Sequence, residues 1–156
     1  ELYSMIMALE EVTLKCPTGY SILATDISER AMDQAKSGNY TQLQIQRGLP
    51  TLKLVKYFKQ DTEDKSTPWH INDLCKSKIK FKSQNLLDSF AGLGSFHLIM
   101  MRNVLIYQSL EHREEILKRA FDCLQPGGHL ILGAAESMIG IEPKLTRSIL
   151  YLPKLY

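Results

Sequence analysis

Two apolar runs that break off sharply into polar residues constrain this chain more than any other feature. The first is Ser21-Ile-Leu-Ala-Thr-Asp26; the second covers 96–101 and gives way to Arg102-Asn103 before resuming as Val104-Leu-Ile-Tyr107. A short, continuously apolar run fits a strand covered on both faces, as parallel sheets require. Where such strands turn polar at their carboxyl ends, an open α/β sheet has the crevice in which nucleotide-like ligands sit.

The segments between the runs support alternation of strands and helices. After Asp26, Ser28 is a good N-cap, Glu29 suits the positive end of a helix dipole, and Ala31, Met32 and Ala35 give a short packed face before Gly38 stops the helix. Ser109 caps a second helix whose apolar face holds Ile116, Leu117, Ala120, Phe121 and Leu124, and Pro126-Gly-Gly128 is expected to end it. A further strand is expected over 130–135, and 139–156 has extended spacing that suits an antiparallel edge. Between about 39 and 82 the pattern changes. Arg47-Gly-Leu-Pro50 is turn-rich, Leu52, Leu54, Val55 and Phe58 have helical periodicity, and 61–68 lacks apolar residues. Lys76, Lys78, Lys80 and Lys82 alternate with other residues, which predicts a row of ammonium groups on one side of a strand. This stretch reads as an inserted subdomain, with Trp69 as a packing anchor and the lysine row as a solvated edge. The whole predicts a mostly parallel sheet with helices on both faces.

Composition narrows the function classes. The 156 residues, 44% hydrophobic and 23% charged, suffice for one domain with a real core and leave no room for a second large one. A formal charge of +2 is too small to attract nucleic acid in bulk. Cys16, Cys75 and Cys123 are odd in number and far apart, and His70, His97, His112 and His129 have no ligand spacing, so neither a disulfide framework nor a metal site is expected. No apolar run approaches the roughly 20 residues needed to span a bilayer, and no secretory leader is visible, which predicts a soluble, cytoplasmic protein. Glu1 opens directly onto the amphipathic spacing of Leu2, Met5, Ile6 and Leu9, with no preceding strand, cap or initiator Met. The chain therefore reads as a fragment.

Several polar residues at the expected strand ends have ligand chemistry, and each also has a plainer reading. Asp26 can accept both hydroxyl protons of a ribose through charge-assisted bonds, or can simply turn the strand into the next helix. Asn85-Leu-Leu-Asp88 could present an amide and an apolar wall to an adenine ring, or could be a turn followed by core leucines. Arg102 offers a planar fork that matches a carboxylate, and Tyr107 a hydroxyl for a reacting oxygen; a structural arginine beside a half-buried tyrosine is the alternative.

Together these segments resemble the C-terminal catalytic domain of the CheR family, chemoreceptor glutamate O-methyltransferases that use S-adenosylmethionine. The resemblance spans nearly the whole chain. It rests on Glu1-Leu-Tyr-Ser4, Ala24-Thr-Asp-Ile27, Ala35-Lys-Ser-Gly-Asn-Tyr40, Gln46-Arg-Gly-Leu-Pro50, Tyr57-Phe58, Asn85-Leu-Leu87, Arg102-Asn-Val-Leu-Ile-Tyr107, Pro126-Gly-Gly128 and Gly133-Ala-Ala-Glu-Ser137, in that order. It implies an α/β, Rossmann-like class I methyltransferase sheet, mostly parallel with an antiparallel edge, carrying a small β-rich insertion. The family's helical N-terminal domain and first strand, which precede the position of Glu1, are missing from this chain, so 1–156 is expected to be a catalytic-domain fragment that binds cofactor poorly alone. His97, Met101 and Gln108 depart from residues common in the family, and the insertion lacks an obvious Gly-Gly turn.

Carried over by position, the resemblance implies that Asp26 binds the ribose, Glu1 the amino group of the cofactor, and Asn85 and Leu86 the adenine. Arg102 and Asn103 match a further cofactor-contacting pair, and Arg102 with Tyr107 are the candidates for orienting the acceptor carboxylate. The implied reaction converts receptor glutamates to methyl esters, with S-adenosylhomocysteine as the other product, in chemotaxis adaptation. The implied partner is a methyl-accepting chemoreceptor met by a monomer, with no nucleic acid and no membrane insertion. Two other readings remain open: a non-catalytic S-adenosylmethionine-binding sensor or scaffold, and an NAD-dependent oxidoreductase using Asp26 as its ribose ligand. Nothing here resembles a hydride-transfer acid, which ranks the oxidoreductase last.

Overall fold

The computed structural model describes residues 1–13, 19–133, 136 and 149–152. Most of the extended stretch expected over 139–156 lies outside the described residues. The chain divides into two compact units, Glu1–Asn85 and Leu86–Tyr156.

The first unit begins with helix α1 (Leu2–Thr13), in which Ile6 of the expected face is fully buried while Leu2, Met5 and Leu9 are partly buried, and Tyr3 and Met7, outside the expected set, complete the buried side. The Tyr3 hydroxyl donates to the Ala35 carbonyl at 2.7 Å, and Lys53 pairs with Glu11 at 3.2 Å. Strand β1 (Ile22–Asp26) follows, then helix α2 (Glu29–Ser37). Ser28 is extended and its side chain accepts from the Ala31 N–H, which caps α2 as the sequence predicts. At the far end Gly38 takes φ 66°, and a Cβ there would lie 2.5 Å from Cγ2 of Ile71, so both conformation and space demand glycine.

Residues 39–71 build a small antiparallel sheet in the order β2 (Asn39–Tyr40), β4 (Trp69–Ile71), β3 (Phe58–Gln60). Short helices α3 (Gln42–Gln46) and α4 (Thr51–Tyr57) lie between its strands, and α5 (Asp73–Ser77) follows it. Tyr3, Tyr40 and Phe58 meet edge to face, with centroids 6.1 and 5.8 Å apart. Strand β5 (Ile79–Ser83), at the end of the stretch read as an insertion, pairs in parallel with β1 from Ile22↔Ile79 to Asp26↔Ser83.

Two details differ from the expectation for this region. Lys76 sits in α5 and Lys78 caps it, so of that row just Lys80 and Lys82 are strand lysines. The Asn72 side chain accepts from the Cys75 N–H and starts a helical turn that alternation alone does not reveal. In α4 the apolar periodicity does not mark a buried face: Leu52 and Val55 are exposed, while Tyr57 enters the core.

The second unit contains β6 (Phe96–Met101), a 3-10 turn (Leu105–Tyr107), α6 (Leu110–Asp122), β7 (Leu124–Gly133) and β8 (Ile149–Leu152), with strand order β6-β7-β8. Its core joins Phe90, Met101 and Leu105 to Ile116, Leu117 and Ala120 of α6 and to Leu130 and Leu132 of β7. β6 is less covered than its apolarity suggests, since Leu98 is exposed and only Met101 is buried.

Pro126-Gly-Gly128 does not end α6. The helix stops earlier, at Asp122, the Cys123 carbonyl accepts from the Phe96 N–H at 2.8 Å, and the Pro-Gly-Gly stretch forms a bulge in β7 between the Phe96↔Leu124 and Leu98↔His129 pairs. Proline, lacking an N–H, suits such a break in the ladder, and Gly127 takes φ 78° there. The antiparallel edge expected at the C-terminal end is also corrected. β8 pairs with β7 in parallel, from Leu130↔Ile149 to Gly133↔Leu152. The intervening length, 134–148, meets the requirement of about a dozen residues that a parallel return imposes, a constraint that extended spacing does not register.

Candidate functional site

In the first unit, Asp26 occupies the last position of β1 and is exposed. Its carbonyl accepts from the Gln84 N–H at 3.1 Å, which continues the register with β5, while Oδ1 accepts the Ser28 N–H at 2.8 Å. This is an Asx turn that sets the chain for α2. The plainer reading of Asp26 is thus realised, and it uses one carboxylate oxygen. Among the described residues Oδ2 has no hydrogen-bond partner, so acceptor capacity remains at the carboxyl end of the strand, as a ligand diol requires.

Glu1 is exposed immediately ahead of α1, and its carbonyl accepts the Met5 N–H at 3.0 Å. Asn85 is half-buried just beyond β5, where its carbonyl accepts from Nε2 of Gln84 at 2.9 Å. Between α2 and β5, an open hollow of about 360 Å³ is lined by Glu29, Met32, Asp33, Lys36, Phe81 and Ser83, none of them a predicted site residue.

In the second unit, Leu86 lies in a turn, half-buried against the core that includes Ile116 and Leu117. One guanidinium nitrogen of Arg119 donates to the Leu86 and Leu87 carbonyls at 3.3 and 2.9 Å, and the other pairs with Glu115 at 2.9 Å. Arg102 and Asn103 follow β6 directly, Arg102 half-buried and Asn103 exposed. Asn103 takes φ 59°, a left-handed conformation that asparagine tolerates better than most residues. The chain then enters the 3-10 turn, which buries Leu105 and leaves Tyr107 79% exposed, its ring available to a ligand rather than committed to the core.

Sequence reasoning missed what holds this second segment. Arg113 of α6 donates through Nε to the Gln108 carbonyl at 3.0 Å and through Nη2 to the Ile106 carbonyl at 3.4 Å. Glu136, buried near the end of β7, accepts from the N–H groups of Val104 and Leu105. The one signal for Glu136 in the sequence is an acid just after an apolar strand, which does not reveal its partners.

The first unit carries an acidic acceptor at the end of β1 and a half-buried amide beyond β5, groups suited to a diol and a base; the second, taken by itself, carries a half-buried leucine ahead of β6 and a guanidinium and amide after it, groups suited to an apolar wall and a carboxylate. Among the described residues no group of three or more His, Cys, Asp or Glu could hold a metal ion. The thiols of Cys75 and Cys123 are both pushed up by burial, which makes neither an activated nucleophile. Among the described residues no helix is long and apolar enough to cross a membrane.

Parallel strands joined through helices, with polar residues at their carboxyl ends, define the Rossmann-like methyltransferase class of α/β protein. The chain belongs to the CheR family: residues 1–149 match the family described as "CheR methyltransferase, SAM binding domain". It is 39% identical over 145 residues to the chemotaxis protein methyltransferase Cher2 of Pseudomonas putida, covering 90% of this chain and 52% of that protein. A chemotaxis protein methyltransferase of Vibrio anguillarum is 40% identical over 147 residues, covering 92% and 52%. That of Escherichia coli is 29% identical over 147 residues, covering 94% and 51%. The chain spans about half the length of these relatives.

Proposed function

We propose that this chain is the S-adenosylmethionine-binding part of a protein-glutamate O-methyltransferase acting on chemoreceptors in the cytoplasm. Family membership over residues 1–149 carries the reading, and the acceptor left at Asp26 supports it. S-adenosylmethionine supplies a methyl group on a positively charged sulfur, an electrophile that needs no activation by a metal. Asp26 binds the ribose hydroxyls, Asn85 and Leu86 contact the adenine, and Glu1 meets the amino group. Arg102 and Asn103 contact the remainder of the cofactor. The exposed Tyr107 hydroxyl and the Arg102 guanidinium orient the acceptor carboxylate.

The chemistry asks little else of the protein. A glutamate carboxylate is already an anionic nucleophile, so no base must remove a proton. One of its oxygens forms a bond to the methyl carbon while the carbon–sulfur bond breaks, and the products are a glutamyl methyl ester and S-adenosylhomocysteine. The residues of the site contribute alignment and partial removal of water, both of which lower the barrier through orientation.

The test is transfer of a labelled methyl group from S-adenosylmethionine to a chemoreceptor by the full-length protein. Label released as methanol by mild base identifies a carboxyl ester. Label that is absent, or stable to base, overturns the proposal.

A further inference from the structure

Glu136 is 3% exposed and is the buried charged side chain among the described residues. Burying a carboxylate is costly unless its oxygens are well supplied with donors. Here Oε1 accepts from Val104 N–H at 2.9 Å and Leu105 N–H at 2.8 Å, and Oε2 accepts from Gly133 N–H at 2.7 Å. The Glu136 N–H donates in turn to the Gly133 carbonyl at 2.9 Å. One side chain therefore ties the end of β7 to the start of the 3-10 turn that follows Arg102 and Asn103.

Without it, the first N–H groups of that short turn would be left in a buried setting with no partner. The turn's other end is held by Arg113 on the Ile106 and Gln108 carbonyls, so an anion meets the N–H end and a cation the carbonyl end. Space is also arranged for the contact. A Cβ on Gly133 would lie 2.9 Å from Oε2 of Glu136 and 3.3 Å from the Asn103 nitrogen. Glycine at this strand end is what lets the carboxylate and the left-handed Asn103 approach each other.

We propose that Glu136 is a positioning residue for methyl transfer: by clamping Val104 and Leu105 to the end of β7, it fixes the segment that carries Arg102, Asn103 and Tyr107. This rests on the reading of those three residues given above. A carboxylate is specifically suited, since an amide in its place would set an N–H₂ donor against one of the three N–H donors.

The experiment uses the full-length protein with Glu136→Ala, Glu136→Gln and Gly133→Ala, the last of which crowds the clamp without removing a charge. Ile116→Val, in the same core, serves as a control for general destabilisation. Amide hydrogen exchange at Val104 and Leu105 is measured beside S-adenosylmethionine affinity and the rate of methyl transfer. We expect faster exchange at both amides in the three test variants, and transfer lowered by about tenfold to a hundredfold, as misplaced reacting groups imply. Glu136→Gln should fall between Glu136→Ala and the unaltered protein. Ile116→Val should raise exchange at the two amides no more than at other amides of the same core, and should leave the affinity unchanged. Should Glu136→Ala fail to fold, the other two test variants decide. Amides that stay protected, or that exchange faster while affinity and transfer are unaffected, overturn the proposal. If the unaltered protein binds no S-adenosylmethionine, the methyl-donor reading fails and takes the positioning role with it, while exchange still reports whether the clamp exists.

Discussion

Replacing Asp26 with Asn separates the turn that this residue forms from the ribose binding proposed for it. Asn retains an oxygen for the Ser28 N–H that Oδ1 accepts at 2.8 Å, so the turn into α2 survives. It loses the charge and puts an N–H₂ donor where Oδ2 could accept. Hydrogen bonds to a charged group contribute about 1.5–3 kcal/mol against about 0.5–1.5 for neutral ones. With two ribose hydroxyls affected, the loss in binding is about 2–3 kcal/mol, or about 30-fold to 150-fold in affinity. Because Asp26 is exposed, the change in stability should stay within about 0.5 kcal/mol, a shift of only about 1–2 °C in melting temperature. Asp26→Ala removes the turn bond as well and should cost about 1 kcal/mol. Calorimetric titration of the full-length protein with S-adenosylhomocysteine and with its 2′-deoxy analogue is the sharpest assay. The unaltered protein should favour the hydroxylated ligand, and Asp26→Asn should lose most of that preference. If Asp26→Asn binds both ligands as the unaltered protein does, Asp26 is a turn former and the ribose assignment is wrong.

Three further outcomes follow from the same geometry. Tyr107→Phe should leave the melting temperature within about 1–2 °C, since the ring is 79% exposed, but should slow methyl transfer about tenfold with little change in cofactor affinity; an unchanged rate removes Tyr107 from the site. Gly38→Ala should destabilise the first unit by roughly 2–3 kcal/mol, because it combines a left-handed φ of 66° with a Cβ 2.5 Å from Ile71; denaturant unfolding that matches the unaltered protein would refute the steric argument. Burial pushes the Tyr3 and Tyr40 phenols from 10.0 to about 12, so folding favours their neutral forms. That contribution is complete below pH 10 and is lost as pH rises towards about 12, and unfolding curves over this range should show it flattened in Tyr3→Phe/Tyr40→Phe.

What the sequence made legible was local. Ser28, Asp26 and Gly38 each act on backbone groups within a few residues of themselves, and the structure uses them as their chemistry suggests. The features that escaped depend on distant partners. Pro126-Gly-Gly128 has the composition of a helix stop, and its place as a bulge depends on the pairing of β7 with the distant β6. Leu52 and Val55 have core spacing, yet their short helix turns them outward while Tyr57 takes the buried place. Glu136 is the extreme case, since its partners Val104 and Leu105 lie more than thirty positions earlier and offer only backbone N–H groups, which carry no residue identity.

The same distinction explains why Asp26 supports two readings at once. A carboxylate has more acceptor sites than one turn requires. The Ser28 N–H occupies Oδ1 and restricts the rotation of the side chain, so the remaining acceptor is held in place before a ligand arrives. If Asp26 binds the ribose as proposed, its orientation has already been fixed by folding, which reduces the entropy lost on binding. The turn would then prepare the binding role, and Asp26→Asn tests that role because it leaves the turn in place.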